Sequence, residues 1–307
     1  MRSPSLIPAL LLALMAVGVD SQVPAYQLAA AEVPARGCSL PRLTSITRHS
    51  PTDDELLTAY NSRATLVESL EATVLLKAKS GPDYAKRGED AKPAPTMVSF
   101  RAPASLRMTG AIPFSARRSF DFASNQKEFR LLVPDGKRMR FYVGSIDAPP
   151  ISANPRENLR PQPIIDALHW TRGVLHITAR SKEDAKKGMR TIKVDLAAVP
   201  EVVVKTAEVD FTMASGTVAG ITFRDAGERI VSEVNYADWK DQVNGDNGTG
   251  SVCFPRRIVV VQPQQKLQLE MRVLVLSVNP HISPSRFDLI PPRGIPVTRL
   301  GSSEKGN

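Results

Sequence analysis

The chain has 307 residues, 42% hydrophobic and 23% charged, which is ordinary globular composition with enough apolar material for one large core. Its net charge of +9 and pI of about 9.7 favour acidic partners such as anionic surfaces. No nucleic-acid-binding module accompanies that charge, so nucleic acid is not expected as a partner.

The first 21 residues read as an export signal. Arg2 precedes an apolar run from Leu6 to Val19, too short for a transmembrane helix and suited to a signal-peptide core. Residues 22–51 are Ala-, Pro- and Ser-rich without a sustained period and read as a tether. No later stretch reaches spanning length, so the folded part is expected to be exported and soluble. Within the tether, Ala35-Arg36-Gly37-Cys38 resembles a lipobox, which would extend the signal to residue 37 and leave Cys38 acylated. Ala at the first of those positions and Arg at the second depart from the usual pattern. A disulfide between Cys38 and Cys253, which an oxidising compartment permits, and a free thiol are the other readings.

Thr52-Asp53-Asp54-Glu55 marks a helix start, because Thr52 and Glu55 can satisfy each other's backbone N–H groups. Leu56, Tyr60, Ala64 and Val67 then recur at helical spacing, giving one apolar face. At Leu70 the period switches to two. Residues 81–95 are a polar loop, and Met97 to Met108 is the next strand, with Pro103 marking an edge or a bulge because it has no N–H to donate. Three short strands follow between Arg117 and Ser145. Phe120 and Phe122, then Phe129, Leu131 and Val133, then Met139, Phe141 and Val143 are expected to build one apolar wall, leaving Asp121, Glu128, Arg130 and Arg140 on the opposite face. Asn154-Pro155 reads as a second helix start that Pro161 interrupts, with a further turn over Pro163 to Leu168.

The segments 174–179, 191–196, 202–213, 218–224, 229–236, 252–262 and 266–278 read as strands, with a charged loop at Arg180 to Lys187 and a hairpin around Asp225-Ala226-Gly227. Residues 52–292 are expected to form one domain and 293–307 an irregular tail. The class is mainly β with a few helices, and about eleven strands joined by short turns build a strongly curved antiparallel sheet or barrel.

No catalytic or metal constellation is apparent. His49, His169, His176 and His281 have no ligand spacing to another His, Cys or carboxylate, and no phosphate loop or nucleophile elbow is present. Asp238-Trp239 reads as strand packing and Asn247-Gly248-Thr249 as a sequon by pattern alone. The chain is therefore expected to be no enzyme, with no cofactor and no metal.

Four stretches carry a family resemblance. They are Phe100-Arg101-Ala102-Pro103-Ala104-Ser105-Leu106-Arg107, then Phe120 through Val133 with Asn154-Pro155-Arg156-Glu157-Asn158-Leu159-Arg160-Pro161, then Asn235-Tyr236-Ala237-Asp238-Trp239-Lys240, and last Phe254-Pro255-Arg256-Arg257-Ile258. In order and spacing the chain resembles the outer-membrane lipoprotein-sorting proteins of the LolA/LolB-like superfamily, in a lipoprotein branch known from acidobacteria. The resemblance implies a curved antiparallel half-barrel with helices packed in or over its concave face. It implies a periplasmic carrier or membrane-anchored acceptor, acting as a monomer, that shelters lipid acyl chains or lipoproteins in that cavity. Phe120, Phe122, Leu131, Val133, Phe141 and Met271 are the expected cavity lining. The turn Ala111-Ile112-Pro113-Phe114-Ser115 matches the place where acceptor members carry a protruding apolar residue, so Ile112 and Phe114 are expected to contact the membrane surface. Phe114 folding back on the barrel rim is the other reading. A structural or assembly lipoprotein with the same fold and a self-filled cavity is the alternative function.

Overall fold

The computed structural model describes residues 38, 50–80, 92–111, 118–125, 127–135, 138–146, 160–168, 176–177, 181–196, 204–243 and 251–300. They fall in one compact unit, Ala35–Asn307. In chain order the elements are α1 (Asp53–Ala64), β1 (Ser69–Ser80), β2 (Ala94–Arg101), β3 (Ser105–Ala111), β4 (Arg118–Ser124), β5 (Glu128–Asp135), β6 (Arg138–Ser145), α2 (Gln162–Leu168), β7 (His176–Ile177), β8 (Lys182–Asp184), β9 (Met189–Asp195), β10 (Val204–Thr212), β11 (Thr217–Asp225), β12 (Ile230–Val243), β13 (Ser251–Gln262), β14 (Leu267–Val278) and β15 (Val297–Leu300).

The strands form one open, curved sheet in the order β15-β6-β5-β4-β3-β2-β1-β14-β13-β12-β11-β10-β9-β7, with β8 also paired to β9. It consists of two antiparallel meanders laid edge to edge. The seam is the pairing of β1 with β14, which runs from Leu70↔Val278 to Ser80↔Leu267. Only β15, which joins β6 in parallel, departs from the antiparallel pattern among the described strands.

Among the described residues the sheet has 15 strands rather than about eleven. One reason is that Met97–Met108 is a hairpin, β2 and β3, turned at residues 102–104; Pro103 has no N–H for a ladder and sits in the turn instead. Short β8 lies in the charged segment expected to be a loop, and β15 lies in the tail expected to be irregular.

Helix α1 starts on the expected reciprocal cap. The Thr52 N–H donates to Glu55 Oε2 at 2.8 Å, and the Glu55 N–H donates to Thr52 Oγ1 at 3.3 Å. Its apolar side chains Leu56, Leu57 and Tyr60 are buried in the same cluster as Phe122, Leu131, Val209, Phe211, Ile258 and Met271 of the sheet. Tyr60 meets Phe211 edge to face, with ring centroids 6.3 Å apart. Helix α2 buries Ile164, Ile165, Ala167 and Leu168 in that cluster as well, and the Tyr236 hydroxyl donates to the Ala167 carbonyl at 3.2 Å. Both helices therefore cover the same face, here called the inner face. The second helix start expected at Asn154 lies outside the described residues.

The other, outer face is partly covered by residues 279–300, which run back from β14 toward β6. Arginines on three strands hold this strap by donating to its backbone carbonyls: Arg101 to Ile282, Arg107 to Asp288 and Arg130 to Leu289, at 3.3, 2.7 and 3.0 Å. The Leu289 side chain closes a small outer core with Ala123, Leu132 and Phe141.

Candidate functional site

The inner face between the sheet and the two helices is the candidate site. Its walls come from strict alternation. On β4, Phe122 points inward while Asp121 and Ala123 point outward; on β5, Phe129 and Leu131 point inward while Leu132 points outward. Directly opposed residues of paired strands point the same way, so the register Phe122↔Leu131↔Tyr142 carries one inner row across β4, β5 and β6.

Five of the six expected lining residues lie on this face. Phe122, Leu131 and Met271 are 0%, 2% and 1% exposed, and Phe120 and Val133 pack partly buried against the same cluster. Phe141 does not join them. It pairs with Leu132 and stands in the outer core beneath Leu289. The inner residue of β6 is Tyr142, and alternation puts Arg140 on Tyr142's side rather than with Asp121. The expectation failed because the apolar face of β6, Met139, Phe141 and Val143, is covered on the outer side by Leu289 and Ile295 of the strap, which the local period does not reveal.

Sequence reasoning also missed the polar groups of this interior. Asp166 on α2 is buried and accepts from Gln162 Nε2 at 2.7 Å. Burial, and then the nearby Asp166 carboxylate, push the Tyr60 phenol far above its ordinary range, so it stays a neutral hydroxyl. The Arg160 guanidinium lies 5.0 Å over the Phe129 ring, and burial lowers its pKa. A hint was present, since Arg160 precedes α2 and Asp166 interrupts its apolar residues, but nothing local said they would be enclosed.

Cys38 and Cys253 form a disulfide, with Cα atoms 5.7 Å apart. A sulfur in this bond has no valence left for a thioether, so acylation of Cys38 is replaced by the disulfide reading, and Cys253 is not a free thiol. The Asp241 carboxylate lies within 4.8 Å of both sulfurs, but the joined sulfurs offer no thiolate to a metal. Ile112 and Phe114 lie outside the described residues. Trp239 does pack on its strand: its Nε1 donates to the Val218 carbonyl at 3.0 Å and its ring stands 5.9 Å from that of Tyr236. His281 is exposed on the strap. Among the described residues, no helix is long and apolar enough to cross a membrane.

The arrangement is thus a mainly β protein with an apolar interior between an open sheet and two helices. No family model and no curated protein matches the chain. The solved structures it is similar to include three of known family. The first is an outer membrane lipoprotein-sorting protein domain from Vibrio parahaemolyticus, at 10% identity and a TM-score of 0.48, covering 76% of this chain and 95% of that one. The second is a LolA superfamily protein from Nitrosomonas europaea, at 10% identity and a TM-score of 0.47, covering 78% and 99%. The third is a DUF1329 family protein from Desulfovibrio piger, at 10% identity and a TM-score of 0.47, covering 78% and 98%. At this identity the likeness concerns fold alone.

Proposed function

We propose that this is an exported, non-catalytic lipid-binding protein that shelters acyl chains between the inner face of its sheet and helix α2, as a carrier or acceptor of lipids or lipoproteins. The observation that carries the reading is the construction of α2. It has only seven residues, and Ile164, Ile165 and Leu168 are buried in the sheet's apolar cluster. A helix so short does not hold itself in water, so its place depends on that burial. An acyl chain offers the same wall about 0.8 kcal/mol per methylene removed from water, enough for a chain of ordinary length to compete with three aliphatic side chains. The disulfide is compatible with export into an oxidising compartment.

A self-filled structural protein is the second reading, and one observation favours it: Phe122, Leu131 and Met271 are already fully covered. Solvent extraction of the purified protein followed by mass spectrometry separates the two. Co-purified lipid, or saturable uptake of a fluorescent fatty acid that an Ile165→Trp overpacking variant blocks, supports the carrier. A protein free of lipid that takes up no apolar probe refutes it.

A further inference from the structure

The outer face carries an amphiphilic site of its own. On β2, Met97 is 54% exposed although Thr96 and Val98 beside it are buried. The register sets it in a row across four strands, Thr109–Met97–Thr73–Val275. At the end of that row the pairing of β1 with β14 slips: Thr73 opposes Val275 and Val74 opposes Val273, which leaves Leu274 as an extra residue. Regular alternation would turn one of two successive residues inward. The bulge turns both out, and Leu274 and Val275 stand 54% and 51% exposed in the middle of the sheet.

This row borders a cleft of about 620 Å³ under the strap. The two share strands: Thr109 ends the row and lines the cleft, and Glu71, which also lines it, is the next outward residue along β1 from Thr73. The buried Ser99 hydroxyl, two residues along β2 from Met97, donates to Glu71 Oε1 and accepts from Arg286 Nε, both at 3.2 Å. Ser283 and Ser285 add hydroxyls. The walls carry two guanidiniums, Arg107 and Arg286, and two carboxylates, Glu71 and Asp288; Arg107 is held by Asp121, and Arg286 Nε stands 3.9 Å from Glu71 Oε1 as an ion pair that a ligand would exchange.

We propose that this face docks on a phospholipid bilayer, seating in the cleft a head group that bears both a phosphate and a primary ammonium. Arg286 and the serine hydroxyls suit the phosphate oxygens, which accept hydrogen bonds only; Glu71 and Asp288 suit the ammonium, which donates only. A head group carrying both charges can match each member of the Arg286–Glu71 pair, whereas a purely anionic one matches only Arg286. The exposed row of Met97, Val275 and Leu274 then lies at the acyl boundary, where apolar side chains leave water. The cleft volume is in the range of small-ligand sites. The site is separate from the interior and does not depend on what fills it.

The test is sedimentation of the full exported protein with vesicles of phosphatidylethanolamine and phosphatidylcholine, compared with vesicles in which phosphatidylglycerol replaces the phosphatidylethanolamine. The first are expected to bind about tenfold more tightly, and soluble phosphoethanolamine to compete. Leu274→Glu and Met97→Glu should each weaken binding about tenfold without changing the thermal midpoint or the interior lipid content. Val275→Thr, which keeps the strand's shape and propensity, should weaken it less, in the same direction. Glu71→Gln should remove the preference for the ammonium head group. Equal binding to both vesicles, binding indifferent to all three apolar substitutions, or a dimer that Leu274→Glu dissolves would each overturn the proposal.

Discussion

Replacing Arg107 by Met would take the bidentate cation from a buried carboxylate. Asp121 is 0% exposed on the outer side of β4 and accepts from Arg107 Nε at 2.6 Å, from Arg107 Nη2 at 2.7 Å and from Thr109 Oγ1 at 3.2 Å. Removing one partner of a buried pair costs about 3–5 kcal/mol, because the remaining charge is left uncompensated. Arg107 Nη1 also donates to the Asp288 carbonyl, and losing that bond adds about 1 kcal/mol. Arg107→Met should therefore cost about 4–6 kcal/mol, a large part of the stability of a typical domain. In Arg107→Met/Asp121→Leu the buried charge is gone, and the loss should shrink to roughly the 1 kcal/mol of the strap bond. Urea unfolding followed by circular dichroism measures both. A single variant that loses less than about 1 kcal/mol, or a double variant as unstable as the single, would refute the view that this pair is strongly coupled.

Peptide mapping without reductant should recover the Cys38 and Cys253 peptides joined and without an acyl chain, and reduction should lower stability by about 5 kcal/mol from loop closure across a separation of 215 residues. Tyr60, whose pKa is raised first by burial and then by Asp166, favours its protonated form in the folded state. Its contribution is fully present below pH 10 and falls as pH rises above 10, so Tyr60→Phe should flatten the alkaline end of a urea-midpoint profile. Phe122→Ala and Phe141→Ala remove rings that are equally buried and should each cost about 3–5 kcal/mol. Only the first should alter uptake of an apolar probe, and equal effects on uptake would contradict the assignment of the two faces.

What was legible in the sequence was what local chemistry decides. Thr52 and Glu55 declared the start of α1 because both halves of the cap lie within four residues. Phe120, Asp121 and Phe122 declared the faces of β4 because one of the faces is charged. Local chemistry says nothing of contacts made from the far end of the chain. Phe141 faces outward because Leu289 is there to cover it, and the prolines around Val297-Thr298-Arg299-Leu300 hide a strand that exists because β6 offers it an edge. In the site, the apolar lining could be read from its period. The enclosure of Arg160 and Asp166 could not, since charged residues in or beside a short helix are solvated far more often than buried.

The seam between β1 and β14 has a consequence for how the chain reaches its fold. β1 is among the first elements to be made, yet one of its edges finds its partner only when residues 267–278 arrive. Until then, a strand bearing Leu70, Val74 and Leu76 presents an open ladder to every other strand in reach. Pairing across so long a stretch of chain is slow, because closure entropy precedes any reward. If the chain is exported, as proposed, that delay is useful: the first meander cannot complete the sheet before the second has followed it across the membrane, so the chain stays threadable until its last strands have passed.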